Sequence, residues 1–153
     1  MTLESDIETL KKVEFFQEFQ PDPLRLLAFS ADSREYADRA VLFDEDDAAD
    51  CGYVVISGRI DLTRTENGKH RLLMSLGPSN LIGELALIID TTRNARAVSV
   101  GRSRVMLIRR STFRRVLYEY PDIAAVISDK IAGRLSGMTP EIDRIRQELE
   151  GGR

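Results

Sequence analysis

Residues 81–95 read Leu81-Ile82-Gly83-Glu84-Leu85-Ala86-Leu87-Ile88-Ile89-Asp90-Thr91-Thr92-Arg93-Asn94-Ala95. Residues 84–88 are good helix formers directly after a glycine, which predicts a single helical turn. Such a turn would present free backbone N–H groups, and Gly83 would let an anion approach them closely. Arg93 would add a permanent charge with forked donors, and Glu84 an acceptor for a sugar hydroxyl. The residues thus predict a ribose-phosphate site, although short helices with one Arg and one Glu are also common elsewhere.

Short apolar runs alternate with turn signals on both sides of this stretch, from Glu35 onward. The runs are residues 41–43, 53–56, 60–65, 72–76, 97–100 and 105–108. Ser57-Gly58 reads as a turn between two of them, and Asn67-Gly68 as a hairpin signal. Strands of this length and spacing predict a small antiparallel barrel or sandwich.

Helical patterns precede the predicted strands. Residues 3–20 predict one or two amphipathic helices, because their apolar residues recur at helical spacing. Pro21 and Pro23 interrupt this pattern, and residues 24–29 predict a short helical turn beyond them.

Helical patterns also come after the predicted strands. Ser111 is expected to cap one helix, and Pro121 to lie in the first turn of the next. Gly137 is expected to end that second helix, whose apolar stripe is Ile123, Ile127, Ile131 and Leu135. The stripe either packs on the barrel or forms a dimer seam, and both remain open. Thr139-Pro140 then begins a last amphipathic stretch with Ile142, Ile145 and Leu149.

Length and composition restrict the classes of protein that fit. The chain has 153 residues, of which 42% are hydrophobic and 31% charged, as expected of one globular domain. The single cysteine, Cys51, and the single histidine, His70, exclude an internal disulfide and any site that needs several such ligands. The longest apolar run, residues 85–89, is far shorter than the ~20 residues of a membrane span, and the N-terminus is acidic. We therefore expect a cytoplasmic, metal-free protein without a membrane segment.

Charge is distributed unevenly along the chain. Residues 1–50 hold 14 acidic and 5 basic side chains, whereas residues 51–153 hold 11 acidic and 17 basic ones. Between Thr91 and Tyr118 the chain has no acidic residue and eight arginines: Arg93, Arg96, Arg102, Arg104, Arg109, Arg110, Arg114 and Arg115. An anionic partner near this run is plausible. We expect most of these arginines to lie on solvated faces, and one or two to carry chemistry.

Gly83-Glu84-Leu85-Ala86-Leu87 with Thr92-Arg93-Asn94-Ala95 resembles the phosphate-binding cassette of cyclic-nucleotide-binding domains. This family includes bacterial catabolite-activator regulators, regulatory subunits of cAMP-dependent kinase and cyclic-nucleotide-gated channels. Further segments are similar to the family in order and spacing: residues 13–16, 24–28, 36–43, 53–60 and 76–78. The similarity covers roughly residues 10–135, nearly the whole chain.

The resemblance implies a mainly β fold with flanking helices, an eight-stranded jelly-roll-like β-barrel in one domain, residues 1–153. Its parts would be N-terminal helices in 1–34, the barrel in 35–110 with a cassette helix in 81–95, and C-terminal helices in 111–153. The phosphate would meet Arg93 and the amides of Leu85 and Ala86, and Glu84 would bind the ribose 2′-hydroxyl. Asn94 would reach the phosphate or the base, and the helix from Pro121 or the segment after that helix would cover the base. The expected ligand-binding residues are Gly83, Glu84, Leu85, Ala86, Arg93, Asn94 and Ala95.

Several positions depart from the family pattern. Arg39 and Asp46 stand where turn glycines are usual; Asp46 tolerates left-handed geometry, whereas Arg39 suggests a reshaped turn. Ile82 replaces an aromatic residue, and Thr92 replaces the proline before the arginine. Arg96 stands where a small hydroxyl residue is common, which leaves the choice between cAMP and cGMP open.

The function expected from the resemblance is that of a cyclic nucleotide receptor, not an enzyme. It would prefer cAMP, need no cofactor, and rearrange its C-terminal helices to regulate an effector protein, with homodimerisation left open. Too few residues come after Leu135 for a helix-turn-helix module, so sequence-specific DNA binding is not expected. Two alternatives remain: a scaffold that keeps the fold without a ligand, or a weak nucleic-acid binder through the arginine run. Cys51 is expected to be inert and His70 exposed.

Overall fold

Eight strands and four α-helices make up residues 2–134, the part of the chain that the computed structural model describes. The helices are α1 Leu3–Lys11, α2 Pro21–Ser30, α3 Arg110–Glu119 and α4 Pro121–Arg134, with 3-10 turns at Glu14–Phe16 and Leu85–Leu87. The strands are β1 Asp32–Tyr36, β2 Val41–Phe43, β3 Ala48–Ala49, β4 Cys51–Glu66, β5 Lys69–Leu76, β6 Leu81–Ile82, β7 Thr91–Thr92 and β8 Arg96–Arg109. Helices thus flank a β region on both sides, as predicted.

All the strand pairs are antiparallel, and two long strands, β4 and β8, form their centre. β8 pairs along β4 from Cys51↔Arg109 to Thr63↔Arg96. One six-stranded sheet has the order β1-β8-β4-β5, with β2 also on β8 and β6 also on β4, and β3 and β7 form a separate pair. The mainly β, jelly-roll-like fold is confirmed, but hydrogen bonds join the described strands into two sheets and not into one closed barrel.

Two apparent strand breaks lie inside continuous strands. The predicted turn at Ser57-Gly58 is wrong, because β4 continues through it with register shifts at residue 57. Gly58 has φ +86°, and a Cβ there would lie 2.6 Å from the carbonyl oxygen of Arg102. The register shift in β4 therefore requires a glycine at this position. A glycine after a serine is also typical of a turn, which explains the wrong prediction. Likewise, the runs 97–100 and 105–108 belong to one strand, β8, which bends at Gly101 with φ +69°.

Four non-glycine residues of residues 2–134 have left-handed backbone conformations: Arg39, Asp46, Asn67 and Ser79. Asn67, with φ +53°, and Gly68 confirm the predicted hairpin. Asp46 has φ +67°, as its residue type allows. Arg39 has φ +68°, so the expected reshaping of its turn is wrong. Its N–H donates to the Ser99 carbonyl at 2.8 Å, which holds the glycine-like conformation in place.

The helices differ from expectation at their starts. Pro21 begins α2, so the prolines start a full helix and do not precede a short turn. Ser111 does not cap α3: the helix begins at Arg110, and the Arg110 N–H donates to the Asp50 carbonyl at 2.9 Å. Pro121 begins α4 as predicted.

The apolar stripe of α4 packs inside its own chain. Ile123, Ile127 and Ile131 are buried in the main core cluster together with Phe16 and Phe113. For these three residues, core packing is the observed role. Leu135, Gly137, Thr139-Pro140 and the stretch with Ile142, Ile145 and Leu149 lie outside the described residues. No helix in residues 2–134 has the length and apolar character needed to cross a membrane.

Candidate functional site

One cavity of about 1230 Å³ opens beside the cassette turn. It is lined by all seven residues that the sequence singled out: Gly83, Glu84, Leu85, Ala86, Arg93, Asn94 and Ala95. Its other walls come from β4 and β5, through Leu62, Met74 and Leu76, and from the Glu14–Phe16 turn. Its volume is somewhat above the usual range of ligand pockets, about 300–1,000 Å³. It combines one polar end with an apolar wall.

The polar end begins with the 3-10 turn Leu85–Leu87. Gly83 precedes it with φ +83°, a conformation that turns the chain sharply into the turn. The Ala86 N–H donates to the Gly83 carbonyl at 3.1 Å, and the Leu87 N–H to the Glu84 carbonyl at 3.2 Å. The predicted helical turn is therefore present, but the Ala86 amide already has an acceptor inside it. Glu84 is half-buried at the N-terminal end of the turn.

Arg93 is the charged centre of the site. Its side chain is buried, with 6% of its surface exposed, and it lies over the Phe43 ring at 4.3 Å. One Nη donates to the Cys51 carbonyl at 2.8 Å and lies 3.5 Å from the Cys51 thiol. The Nε is buried and has no hydrogen-bond partner among residues 2–134. None of the ion pairs within residues 2–134 includes Arg93. Within the described part of the chain, the guanidinium is thus a buried cation without a carboxylate partner.

Backbone hydrogen bonds to the turn at residues 44–47 fix the position of Arg93. The Asp46 N–H donates to the Arg93 carbonyl at 2.8 Å, and the Arg93 N–H donates to the Asp47 carbonyl at 2.9 Å. These bonds continue the short ladder between β3 and β7. The left-handed conformation of Asp46 therefore bears directly on the site, because it aims the Asp46 N–H at the cassette.

Arg64 of β4 holds the next residue of the cassette, a contact that sequence reasoning missed. Its Nε and one Nη both donate to the Asn94 carbonyl, at 3.1 and 3.0 Å. The Asn94 side chain is exposed at the edge of the cavity. Arg64 lies 30 residues away in the chain and sits in an ordinary strand pattern, so only the tertiary structure identifies it.

Replacing Arg64 with methionine is expected to weaken ligand binding by about threefold to tenfold, because a hydrogen bond of this kind contributes about 0.5–1.5 kcal/mol. The loop at residues 93–95 would lose its anchor, although Arg93 would remain. Calorimetric titration with cAMP, the ligand that the sequence resemblance implies, measures the effect, with Arg59→Met as the control, since Arg59 lies on the same strand and pairs with Asp61. Equal losses in both variants would contradict a specific anchoring role.

Tyr53 lies against the same guanidinium, with its ring 5.6 Å from the Arg93 Cζ. Burial raises the pKa of the Tyr53 hydroxyl well above its ordinary value. The neighbouring Cys51 thiol acts in the same direction, whereas Arg93 opposes the shift. Folded Tyr53 thus stays neutral at a pH at which unfolded Tyr53 ionises.

The free energy of unfolding is therefore expected to fall as the pH rises above about 10, by up to ~1.4 kcal/mol per pH unit. The contribution of Tyr53 is complete below the unfolded pKa and is lost between the unfolded and the folded pKa. Urea unfolding of the wild type and Tyr53→Phe between about pH 8 and pH 11 measures it. The stability of the wild type relative to Tyr53→Phe should fall as the pH rises above about 10, and parallel curves would show that Tyr53 does not titrate differently in the folded state.

Most side chains of the arginine run form contacts with other residues of the same chain. Four of its members contact residues of the acidic first third: Arg96 contacts Asp44, Arg102 contacts Glu35, Arg104 contacts Ser33 and Arg109 contacts Asp32. His70 is exposed at the hairpin, as predicted. Cys51 is buried and, contrary to its sequence neighbourhood, lies beside a basic residue, Arg93. Within residues 2–134, no three His, Cys, Asp or Glu side chains converge as a metal site would require.

Comparison with known proteins agrees with this geometry. Residues 33–120, more than half of the chain, match the family model described as the cyclic nucleotide-binding domain. The "Cyclic AMP receptor protein" of Thermus thermophilus is 28% identical over 140 residues, which cover 91% of this chain and 65% of that protein. The chain thus spans less than two thirds of this relative's length.

Two solved structures resemble the fold over most of their own length. A cyclic nucleotide-binding-like protein from Brucella abortus is 39% identical, with a TM-score of 0.68, over 74% of this chain and 97% of that one. The N-terminal domain of a transcriptional regulator from Streptomyces coelicolor is 27% identical, with a TM-score of 0.78, over 88% and 94% of the two chains.

Proposed function

The chain belongs to the cyclic nucleotide-binding domain family, and we propose that it is a non-catalytic receptor for a cyclic nucleotide, with cAMP preferred over cGMP. Ligand binding would rearrange its C-terminal helices and so regulate an effector protein. The cAMP preference is supported by the relative whose name describes a cyclic AMP receptor.

The buried Arg93 guanidinium is the observation that carries the proposal. A buried cation without a carboxylate and with an unbonded Nε is costly, since desolvation is only partly repaid by one carbonyl and an aromatic face. A bound phosphate would supply the missing negative charge. A scaffold that needed only the fold would gain nothing from such a residue, which makes the scaffold alternative less well supported.

The lining of the cavity would suit the three parts of the ligand in order. The phosphate would lie between Arg93 and the backbone at Gly83 and Leu85, with Asn94 and Ala95 at its edge. The Glu84 carboxylate, at the start of the turn, would accept a hydrogen bond from the ribose 2′-hydroxyl. The base would extend along the apolar wall formed by Leu62, Met74 and Leu76 of β4 and β5.

The conformational change that regulates the effector would take place in α3 and α4, the helices on the C-terminal side of the β region. α4 is tied to the N-terminal part of the chain, since Lys130 donates to the Glu14 carbonyl at 3.1 Å. The Glu14–Phe16 turn also borders the cavity, so a ligand there can favour one arrangement of these elements over another. The proposal needs no dimer seam along Ile123, Ile127 and Ile131. Nucleic-acid binding through the arginine run is less well supported, because most of those side chains already have partners.

The test is a titration series with cAMP, cGMP and 2′-deoxy-cAMP on the same protein preparation. We expect cAMP to bind most tightly, cGMP more weakly, and 2′-deoxy-cAMP more weakly than cAMP because it lacks the 2′-hydroxyl that would donate to Glu84. Glu84→Gln should bind cAMP and 2′-deoxy-cAMP with more similar affinities. Tighter binding of cGMP would refute the cAMP preference, and a 2′-deoxy ligand that binds as well as cAMP would refute the role of Glu84.

A further inference from the structure

Arg110, the first residue of α3, holds the chain that leaves the cassette turn. Its side chain is largely buried, and one Nη donates to the Ile89 carbonyl at 2.7 Å and, more distantly, to the Ala49 carbonyl. The other Nη pairs with the Asp90 carboxylate. One guanidinium therefore joins α3 to two consecutive residues of the cassette.

Arg114 repeats this contact one helical turn later. Its Nη donates to the Ile88 carbonyl at 3.2 Å. Residues four apart on a helix lie on the same face, so both guanidiniums of α3 reach the segment 88–90. We call Arg110 and Arg114 the arginine clasp.

Segment 88–90 is also packed on α3 through its side chains. Ile88 and Ile89 are buried in the core cluster that contains Phe113 and Val116 of α3. The carbonyls that the clasp binds come directly after the 3-10 turn, where backbone acceptors lack partners within the turn. Apolar contacts allow sliding, whereas directional hydrogen bonds from two guanidiniums fix the register between the turn and the helix.

We propose that Arg110 and Arg114 are positioning residues that make the cassette and α3 move as one unit. Given the proposed function, on which this part rests, the clasp transmits ligand occupancy at Gly83–Ala86 to α3 and α4. By thermodynamic linkage, the state of α3 then acts back on ligand affinity by the same factor.

The first experiment needs no ligand. Amide hydrogen exchange of residues 85–90 is measured in the wild type, Arg110→Met and Arg114→Met, with Arg115→Met as the control from the exposed face of α3. We expect exchange to accelerate about fivefold or more in Arg110→Met, less in Arg114→Met, and not in the control. Unchanged exchange in both clasp variants overturns the proposal, whether or not a nucleotide binds. If Arg110→Met does not fold, Arg114→Met decides alone.

The second experiment adds cAMP. In the wild type, cAMP should change the exchange of α3 and of α4 up to residue 134. Arg114→Met should bind cAMP within about tenfold of the wild type, but lose more than half of that change. A full response in Arg114→Met contradicts transmission through the clasp. Absence of cAMP binding in the wild type refutes the proposed function, and the ligand-free experiment then still decides whether the clasp joins the two elements.

Conservative variants separate this role from simple packing. The Ile88 carbonyl accepts from a single Nη of Arg114, a contact that one ammonium group can reproduce, so Arg114→Lys should restore the response to near the wild-type level. Arg110→Lys should not, because a single ammonium group cannot reach both the Ile89 carbonyl and the Asp90 carboxylate in the geometry of the fork. Failure of Arg114→Lys to restore the response counts against the hydrogen bond as the link.

Discussion

Replacing Arg93 with methionine is expected to lower the affinity for cAMP between about 30-fold and a few thousand-fold, as for the loss of one partner of a buried charged pair, about 2–5 kcal/mol. The ligand phosphate would lose its only buried cation in the cavity wall among the described residues. Arg93→Lys should recover little, because an ammonium group cannot reproduce the forked donors or the contact with the Phe43 ring. Calorimetric titration with cAMP measures both variants.

The melting temperature of ligand-free Arg93→Met is the control for this experiment, because it separates a loss of binding from a loss of folding. In the ligand-free protein, methionine removes the hydrogen bond to the Cys51 carbonyl but also removes a buried cation without a carboxylate. The two effects are similar in size and opposite in sign, so the melting temperature should change by less than about 4 °C. A large loss of stability with normal cAMP affinity would show that Arg93 is a structural residue and would contradict the assignment.

Replacing Gly83 with alanine is expected to lower cAMP affinity by at least about 30-fold, because the added Cβ would overlap the nearest Nη of Arg93. The same Cβ would lie 3.3 Å from the Cys51 carbonyl, so the chain cannot relax toward β4. The left-handed conformation at φ +83° adds about 1–2 kcal/mol of strain. Titration with cAMP and the melting temperature together record both effects.

Gly68→Ala is the matched control for the backbone strain alone. Gly68 has φ +77°, and a Cβ there would meet no atom within 4 Å. It should therefore show a similar loss of stability with unchanged cAMP affinity. If Gly83→Ala and Gly68→Ala bind cAMP equally well, the contact between Gly83 and Arg93 does not determine the site.

The cassette could be predicted from the sequence because its signals are local. Gly83, the helix formers after it and the spacing to Arg93 lie within 15 residues, and their similarity to a known family is specific. The mainly β fold was predictable for a related reason, since short apolar runs that alternate with turn signals are typical of antiparallel strands. The number of strands was not, because the runs on either side of Ser57-Gly58 belong to one strand, as do those on either side of Gly101. The structure places all seven predicted residues around one cavity, and their binding roles stay predictions.

The contacts that support the cassette were not predictable, because they join distant parts of the chain. Arg64 binds the Asn94 carbonyl and Arg110 binds the Ile89 carbonyl, and no local pattern distinguishes these arginines from their neighbours. The acceptors are backbone carbonyls, which any residue type provides. The errors at Ser57-Gly58 and Ser111 have the same origin. Residue types typical of turns and caps stand there, but pairing with β8 and the Asp50 carbonyl decide the local structure.

The central claim is that a cyclic nucleotide binds beside Arg93, and calorimetric titration of the wild-type protein with cAMP tests it most directly. We predict saturable binding with a micromolar or tighter dissociation constant and a melting temperature that rises with cAMP concentration. No heat of binding together with an unchanged melting temperature would contradict the claim. The buried Arg93 guanidinium would then require a different anion.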